Sequence, residues 1–193
     1  LSSVTSLPAA IDTGSLVKLV TTNISSNTSS VAFSSTYITS TYRDYVLVIS
    51  DVHHTTGSGA NVRLQISDNN GTSYKSSAKY RSVSRGLRND GTSISQAVDD
   101  GSYMTLFPAD ISGNESEEKS SIIINIYDPL STSSYFTCSF HGGCVCTTGN
   151  QGAGFYGGGV FRADVSSAIN NFKVYISTGN FNAGRFTLYG RIS

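Results

Sequence analysis

Apolar and polar residues alternate along most of this chain, in runs set about ten positions apart and separated by turn residues. That period of two predicts strands, because successive side chains of a strand point to opposite faces. The predicted strands are Leu16–Thr21, Ser30–Ser34, Tyr45–Ser50, Val62–Ser67, Tyr74–Tyr80, Tyr103–Phe107, Ser121–Tyr127, Tyr135–Phe140, Tyr156–Phe161, Phe172–Ser177 and Arg185–Arg191. In Phe172–Ser177 the alternation turns Phe172, Val174 and Ile176 to the core, with Lys173 and Ser177 toward water. Phe186, Leu188 and Gly190 share one face of the last strand, and Thr187 and Tyr189 the other. Asp68-Asn69-Asn70-Gly71, Asn89-Asp90-Gly91 and Asp99-Asp100-Gly101 read as hairpin turns, since Asn-Gly and Asp-Gly accept the positive φ of a tight turn. Asp164–Ile169 carries the Asp and Ser of a helix start and is read as a single turn. The expected fold is all-β: an antiparallel, jelly-roll-like β-sandwich of about ten short strands. An extended, Ser- and Thr-rich arm over residues 1–15 precedes one sandwich domain over 16–193.

Composition narrows the function classes. Ser and Thr fill 53 of the 193 positions, while Glu occurs three times and Lys five times, so a helical bundle or coiled coil is excluded. With 13 Lys+Arg against 13 Asp+Glu the net charge is zero, which argues against general nucleic-acid binding. Apolar content of 38% with 20 Tyr and Phe suffices for a core. The apolar runs, such as Tyr45–Ile49 and Ile122–Ile124, are strand-sized and far short of a membrane helix. The opening Leu1-Ser2-Ser3-Val4 lacks the basic and apolar regions of a signal peptide. Asn23, Asn27, Asn70 and Asn114 sit in glycosylation sequons, a frequent accident in so Ser/Thr-rich a chain.

Five groups of residues are candidates for chemistry. Cys138, His141, Cys144 and Cys146 lie within nine positions and offer sulfur and imidazole to a metal. Their spacing is compressed, so the favoured reading is a strand, a Gly142-Gly143 turn and another strand, with packed cysteines and no cofactor. The three cysteines leave one disulfide or none open. His53 and His54, beside Asp51, fall on opposite faces of any strand and read as solvated residues at a strand end. The Asp68–Ser73 turn is rich in oxygen but lacks the closing Glu of an EF-hand. Basic residues cluster at Lys75, Lys79, Arg81, Arg85 and Arg88, and acidic ones at Asp99, Asp100, Asp110, Glu115, Glu117 and Glu118. One subunit's basic edge could meet the next one's acidic loop, so these are the interface candidates. The eleven tyrosines suit sugar stacking or an interface where exposed. No Gly-x-Ser-x-Gly or His-Glu-x-x-His motif occurs, and the adjacent pairs Asp99-Asp100 and Glu117-Glu118 are weak candidates for glycoside chemistry. The chain reads as a non-enzyme.

Three segments carry a resemblance. They are Tyr42-Arg43-Asp44-Tyr45-Val46-Leu47-Val48-Ile49-Ser50, the Val62–Tyr74 stretch with its Ser67-Asp68-Asn69-Asn70-Gly71 turn, and the closing Gly184-Arg185-Phe186-Thr187-Leu188-Tyr189-Gly190. Together they resemble the β-sandwich domains of tailed-bacteriophage virion proteins, over roughly residues 15–192. The Cys138–Cys146 segment departs from that pattern. The resemblance implies a structural protein on the exterior of a virion, decorating the capsid or forming part of a tail appendage. It implies a homo-oligomer, a trimer, packed against major capsid or tail proteins, with the arm lying across a neighbour. Zero net charge and strand-sized apolar runs add the expectation of no nucleic-acid and no membrane partner. The alternative is a carbohydrate-binding, receptor-recognition module of a tail fibre, with a host surface glycan as ligand.

Overall fold

A computed structural model describes residues 15–56, 60–107, 118–146, 151–163 and 166–192. Twelve strands alternate along the chain: β1 (Leu16–Ile24), β2 (Ser30–Phe33), β3 (Asp44–His54), β4 (Val62–Ser67), β5 (Tyr80–Arg88) and β6 (Ser93–Gly101), then β7 (Met104–Thr105), β8 (Ser120–Tyr127), β9 (Phe136–Cys146), β10 (Gln151–Phe161), β11 (Asn171–Ile176) and β12 (Phe181–Arg191). They form an eight-stranded sheet in the order β1-β12-β3-β8-β9-β10-β5-β6 and a four-stranded sheet in the order β2-β11-β4-β7. All pairings are antiparallel.

The expected jelly roll is present, with an addition. β1-β12-β3-β8 faces β2-β11-β4-β7, and the chain swaps sheets at each step from β1 to β4. That is the double Greek key of a jelly roll. Two hairpins are inserted into it: β5–β6 between β4 and β7, and β9–β10 between β8 and β11. They pair with each other through β10 and β5, from Ala153↔Arg88 to Phe161↔Tyr80, and double the width of the large sheet.

The core is the aliphatic and aromatic layer between the sheets. Leu47, Leu64, Ile124, Phe172, Phe186 and Leu188 are fully buried in it. Phe172, Val174 and Ile176 point inward as the alternation requires, as do Phe186, Leu188 and Gly190. On the inner face of the inserted half, large and absent side chains alternate. Phe155 stands opposite Gly142 on β9 and Gly86 on β5, and Gly157 stands opposite Phe140. The rings lie over bare backbone.

Several sequence expectations are corrected. The strand expected at Tyr74–Tyr80 begins at Tyr80 and runs to Arg88. Gly142-Gly143 is no turn; both residues are inside β9, and Gly142 makes room for Phe155. Asn89-Asp90-Gly91 does close a hairpin, with φ of +82° at Gly91. Asp68-Asn69-Asn70-Gly71 turns the chain from the small sheet toward the large one, not between paired neighbours. Its Asn70 and Gly71 take φ of 57° and 83°, and Asn170 Oδ1 accepts from the Asn70 N–H at 2.9 Å. Asp99-Asp100-Gly101 ends β6 in an irregularity with φ of 52° at Asp100, because the chain must leave the large sheet for β7 there. No helix occurs among the described residues; Asp164 and Val165 of the expected helical turn, and residues 1–14 of the expected arm, lie outside them.

Lys173, predicted to point outward from β11, is not simply solvated. Its Nζ sits 4.1 Å from the Tyr74 ring centre and 5.2 Å from that of Tyr175, while Arg63 stacks 3.7 Å over Tyr103. These cations and rings cover the outer face of the small sheet.

Cys138 and Cys144 are buried and in no disulfide. The Cys138 Sγ lies 3.6 Å from Met104 Sδ, and burial pushes its thiol up to about 12. A thiol so placed is unreactive. Maleimide labelling followed by mass spectrometry should leave Cys138 and Cys144 unmodified in the native protein and modify both in denaturant. Native labelling of either would contradict this packing.

Candidate recognition face

The jelly-roll half of the large sheet is covered on its inner face by the small sheet, but the outer face of the large sheet has no cover among the described residues. Among the described residues, the large apolar ones that remain exposed are Leu16, Val83, Leu87, Ile123, Tyr127, Tyr135 and Tyr156. All seven stand on or at the end of a strand of the large sheet, in outward register. A concentration of exposed apolar residues on one face marks a contact surface, whereas scattered ones do not.

Tyr156 is the centre of this face, with 66% of its surface exposed. β10 points it outward because Phe155 takes the inward position. Across the strands its partners are Arg85 on β5 and His141 on β9, and His141 is followed by Ile123 on β8 and Val48 on β3. This row is a low wall. Beside it runs a row of small residues: Gly154 on β10, Gly143 on β9, Ser121 on β8 and Ser50 on β3. Leu87 stands at one end of that lane and Arg185 at the other. Two hollows mark the groove so formed. One of about 340 Å³ lies among Arg85, Leu87, Ser93, Ser95 and Tyr156. The other, of about 220 Å³, lies among Val48, Ser50, Ser121, Ile123, His141 and Gly143. The groove crosses the strands and can hold an extended ligand against an aromatic ring and hydrogen-bonding side chains.

The charged candidates distribute unevenly. Arg81 is held inside its own hairpin, 2.7 Å from Asp99 and 3.1 Å from Asp100. Its guanidinium holds the Asp100 carboxyl below the usual carboxylate range. Lys75 pairs with Asp68 at 2.6 Å and lowers that carboxyl in the same way. The basic edge and the acidic loop therefore meet in part within one chain. Arg85, by contrast, has no acidic partner among the described residues. Lys79 is exposed at the approach to β5, and Arg88 is half-buried at its end with Nε unpartnered. Glu118 is buried beside the start of β8, while Asp110, Glu115 and Glu117 lie outside the described residues.

The other candidates separate. Cys138 and Cys144 point into the core and His141 points out, so these three cannot share one ion. The side chain of Cys146 lies outside the described set. His53 and His54 do fall on opposite faces, but His54 is fully buried and its Nδ1 accepts from the Thr56 N–H at 3.2 Å. The expectation of a solvated pair fails for His54 because β3 continues through it. The Asp68–Ser73 oxygens already have partners in the protein: Asn69 Oδ1 accepts from the Ser73 N–H at 3.0 Å, Asn70 Oδ1 from the Ser35 N–H at 3.0 Å, and Asp68 pairs with Lys75.

The groove itself escaped the sequence reading, although one signal was present. In Tyr80–Arg88 the larger apolar residues Val83 and Leu87 alternate with Ser82, Ser84 and Gly86, and it is the small set that faces inward.

The sequence matches no family profile and no curated protein. Among solved structures, the chain is similar to a PL-14 alginate lyase from the marine Aplysia kurodai, at 14% identity and a TM-score of 0.33, over 80% of this chain and 72% of that one. It is also similar to a structure of infectious bursal disease virus, Gt strain, at 9% identity and a TM-score of 0.15, over 97% of this chain and 34% of the other. The VP2 subviral particle of infectious bursal disease virus gives 13% identity and a TM-score of 0.13, over 93% of this chain and 36% of the other. The chain thus spans about a third of the two viral chains. None of these likenesses is close enough to carry an argument about activity, which must come from the surface.

Proposed function

We propose that this protein is a non-enzymatic component of the exterior of a virus particle, working through the open face of its large sheet. The observation that carries the reading is the gathering of every exposed large apolar side chain of the described residues on that one face. Two features support it. The strand order is one that capsid and lectin domains use. The phage-like segments fall on β3, on β4 with its following turn, and on β12, which belong to the jelly roll proper. The partners in this reading are capsid or tail proteins and the surface that the particle meets.

The test is a variant with Val83→Ser, Leu87→Ser and Tyr156→Ser together. These side chains are more than half exposed, so the fold should survive. Attachment to phage particles or to host cells should fall to background; unchanged attachment to both would remove the face from the function. Light scattering addresses assembly. The trimer implied by the phage resemblance predicts three times 20.4 kDa at every dilution, and a mass of 20.4 kDa throughout would rule that trimer out.

A further inference from the structure

We infer that the groove across the large sheet is a binding site for a linear acidic polysaccharide, one whose sugars carry carboxylates. The inference rests on the reading of this face as the working surface and names its ligand.

The first observation concerns glycine. A Cβ built on Gly142 or Gly157 strikes neighbouring backbone and an aromatic ring, so those glycines serve packing. A Cβ built on Gly154 meets nothing within 4 Å, and Gly154 has no positive φ. Neither space nor conformation requires glycine there. Mid-strand glycine is costly to folding and marks places where another molecule approaches the backbone closely. Gly154 leaves the floor bare directly beside the exposed ring of Tyr156. The second observation is shape. The floor of Gly154, Gly143, Ser121 and Ser50 continues across neighbouring strands between Leu87 and Arg185. Five strand spacings of about 4.8 Å give a groove of about 24 Å, which suits a chain of linked rings rather than one small molecule. The third is charge. Arg85 stands at one end and Arg185 at the other, both exposed and neither with an acidic partner among the described residues. Lys119 borders the floor, 3.7 Å from Asp51.

These features select the ligand. The apolar face of a sugar ring stacks on tyrosine, and its hydroxyls suit serine, histidine and bare backbone. An unpaired guanidinium takes a carboxylate through two parallel hydrogen bonds. A second copy packed on the groove would set guanidinium against guanidinium at its ends. A nucleic-acid strand would demand a net basic protein and a series of stacking rings. This chain has zero net charge, and Tyr156 is the aromatic ring of the wall.

The experiment is calorimetric titration of the intact chain with an oligogalacturonate, a neutral maltooligosaccharide of equal length and oligo(dT). The oligogalacturonate should bind, the neutral sugar at least about tenfold more weakly, the loss expected when one charge-assisted contact is absent, and oligo(dT) more weakly than the oligogalacturonate. Gly154→Val should abolish binding while the melting temperature stays level or rises, because the added side chain fills the groove without touching the fold. Arg85→Gln should remove most of the preference for the acidic sugar. Equal binding of the neutral sugar, equal or tighter binding of oligo(dT), undiminished binding by a folded Gly154→Val variant, or no binding of the oligogalacturonate would each overturn the inference. Failure here with attachment still lost in the triple-serine variant would leave the working face intact and remove the polysaccharide alone.

Discussion

Alanine in place of Gly142 or Gly157 should cost more than about 3 kcal/mol, a large share of the roughly 5–15 kcal/mol that holds an ordinary domain together. At Gly142 a Cβ would collide with the Ser121 carbonyl oxygen and come within 2.8 Å of the Phe155 ring. At Gly157 it would collide with the Val83 carbonyl oxygen and come within 2.7 Å of Phe140. Relief requires moving backbone in a ladder hydrogen-bonded on both sides, or driving Phe140 and Phe155 from their places in the core. Interiors packed this closely yield little. Gly152 and Gly154, on the same strand, have open space where the Cβ would go, so alanine there should be harmless. Thermal melting of the four variants decides. If Gly142→Ala or Gly157→Ala melted with Gly154→Ala, the aromatic-over-glycine packing would be wrong.

Tyr80→Phe should be the next most damaging small change, at about 2–4 kcal/mol for one oxygen atom. Tyr80 is fully buried at the start of β5, and its ring packs 4.7 Å from that of Phe161. Its hydroxyl accepts from the Ile66 N–H at 3.1 Å and donates to the Lys75 carbonyl oxygen at 2.9 Å. The cause lies in the small sheet. β7 pairs with Arg63 and Leu64 and stops, so the N–H of Ile66 on the same edge of β4 needs a partner from elsewhere. Tyr80 supplies it from the opposite sheet. Phenylalanine keeps the ring, strands the buried Ile66 N–H and removes the donor to the Lys75 carbonyl, which costs more than never having made the bonds. The midpoint of urea unfolding should fall with its slope unchanged. A midpoint shift within measurement error would mean that water replaces the hydroxyl.

What the sequence disclosed follows from where the core lies. Val62–Ser67 and Phe172–Ser177 alternate large apolar with polar residues because one face meets the opposing sheet, and both were legible nearly to the residue. β5 was not, since Ser82, Ser84 and Gly86 face inward and look like solvent positions. Its inward side is small because Phe155 lies opposite Gly86, a demand set by a strand far away in the chain. Gly142-Gly143 misled for the same reason: glycine as a space and glycine as a turn are identical in a sequence read alone. The candidate site was half legible. The tyrosines, the basic run and His141 were all singled out, but the register that places Tyr156 between Arg85 and His141 is a product of tertiary pairing. Arg81, Asp99 and Asp100, read from the sequence as interface candidates, also bridge one hairpin, a pairing that only the β5–β6 register reveals.

The two inserted hairpins carry a consequence for the order of folding. Each insertion pairs strands that follow one another in sequence, β5 with β6 and β9 with β10, whereas the jelly roll pairs β1 with β12 and β2 with β11 across most of the chain. Closing so long a loop is slow, because its entropy is lost before the contacts that offset it exist. β12 is also the last strand to be made, and it supplies Arg185 at one end of the groove. A nascent chain therefore holds its inserted hairpins early, and cannot capture its ligand until the final strand has paired.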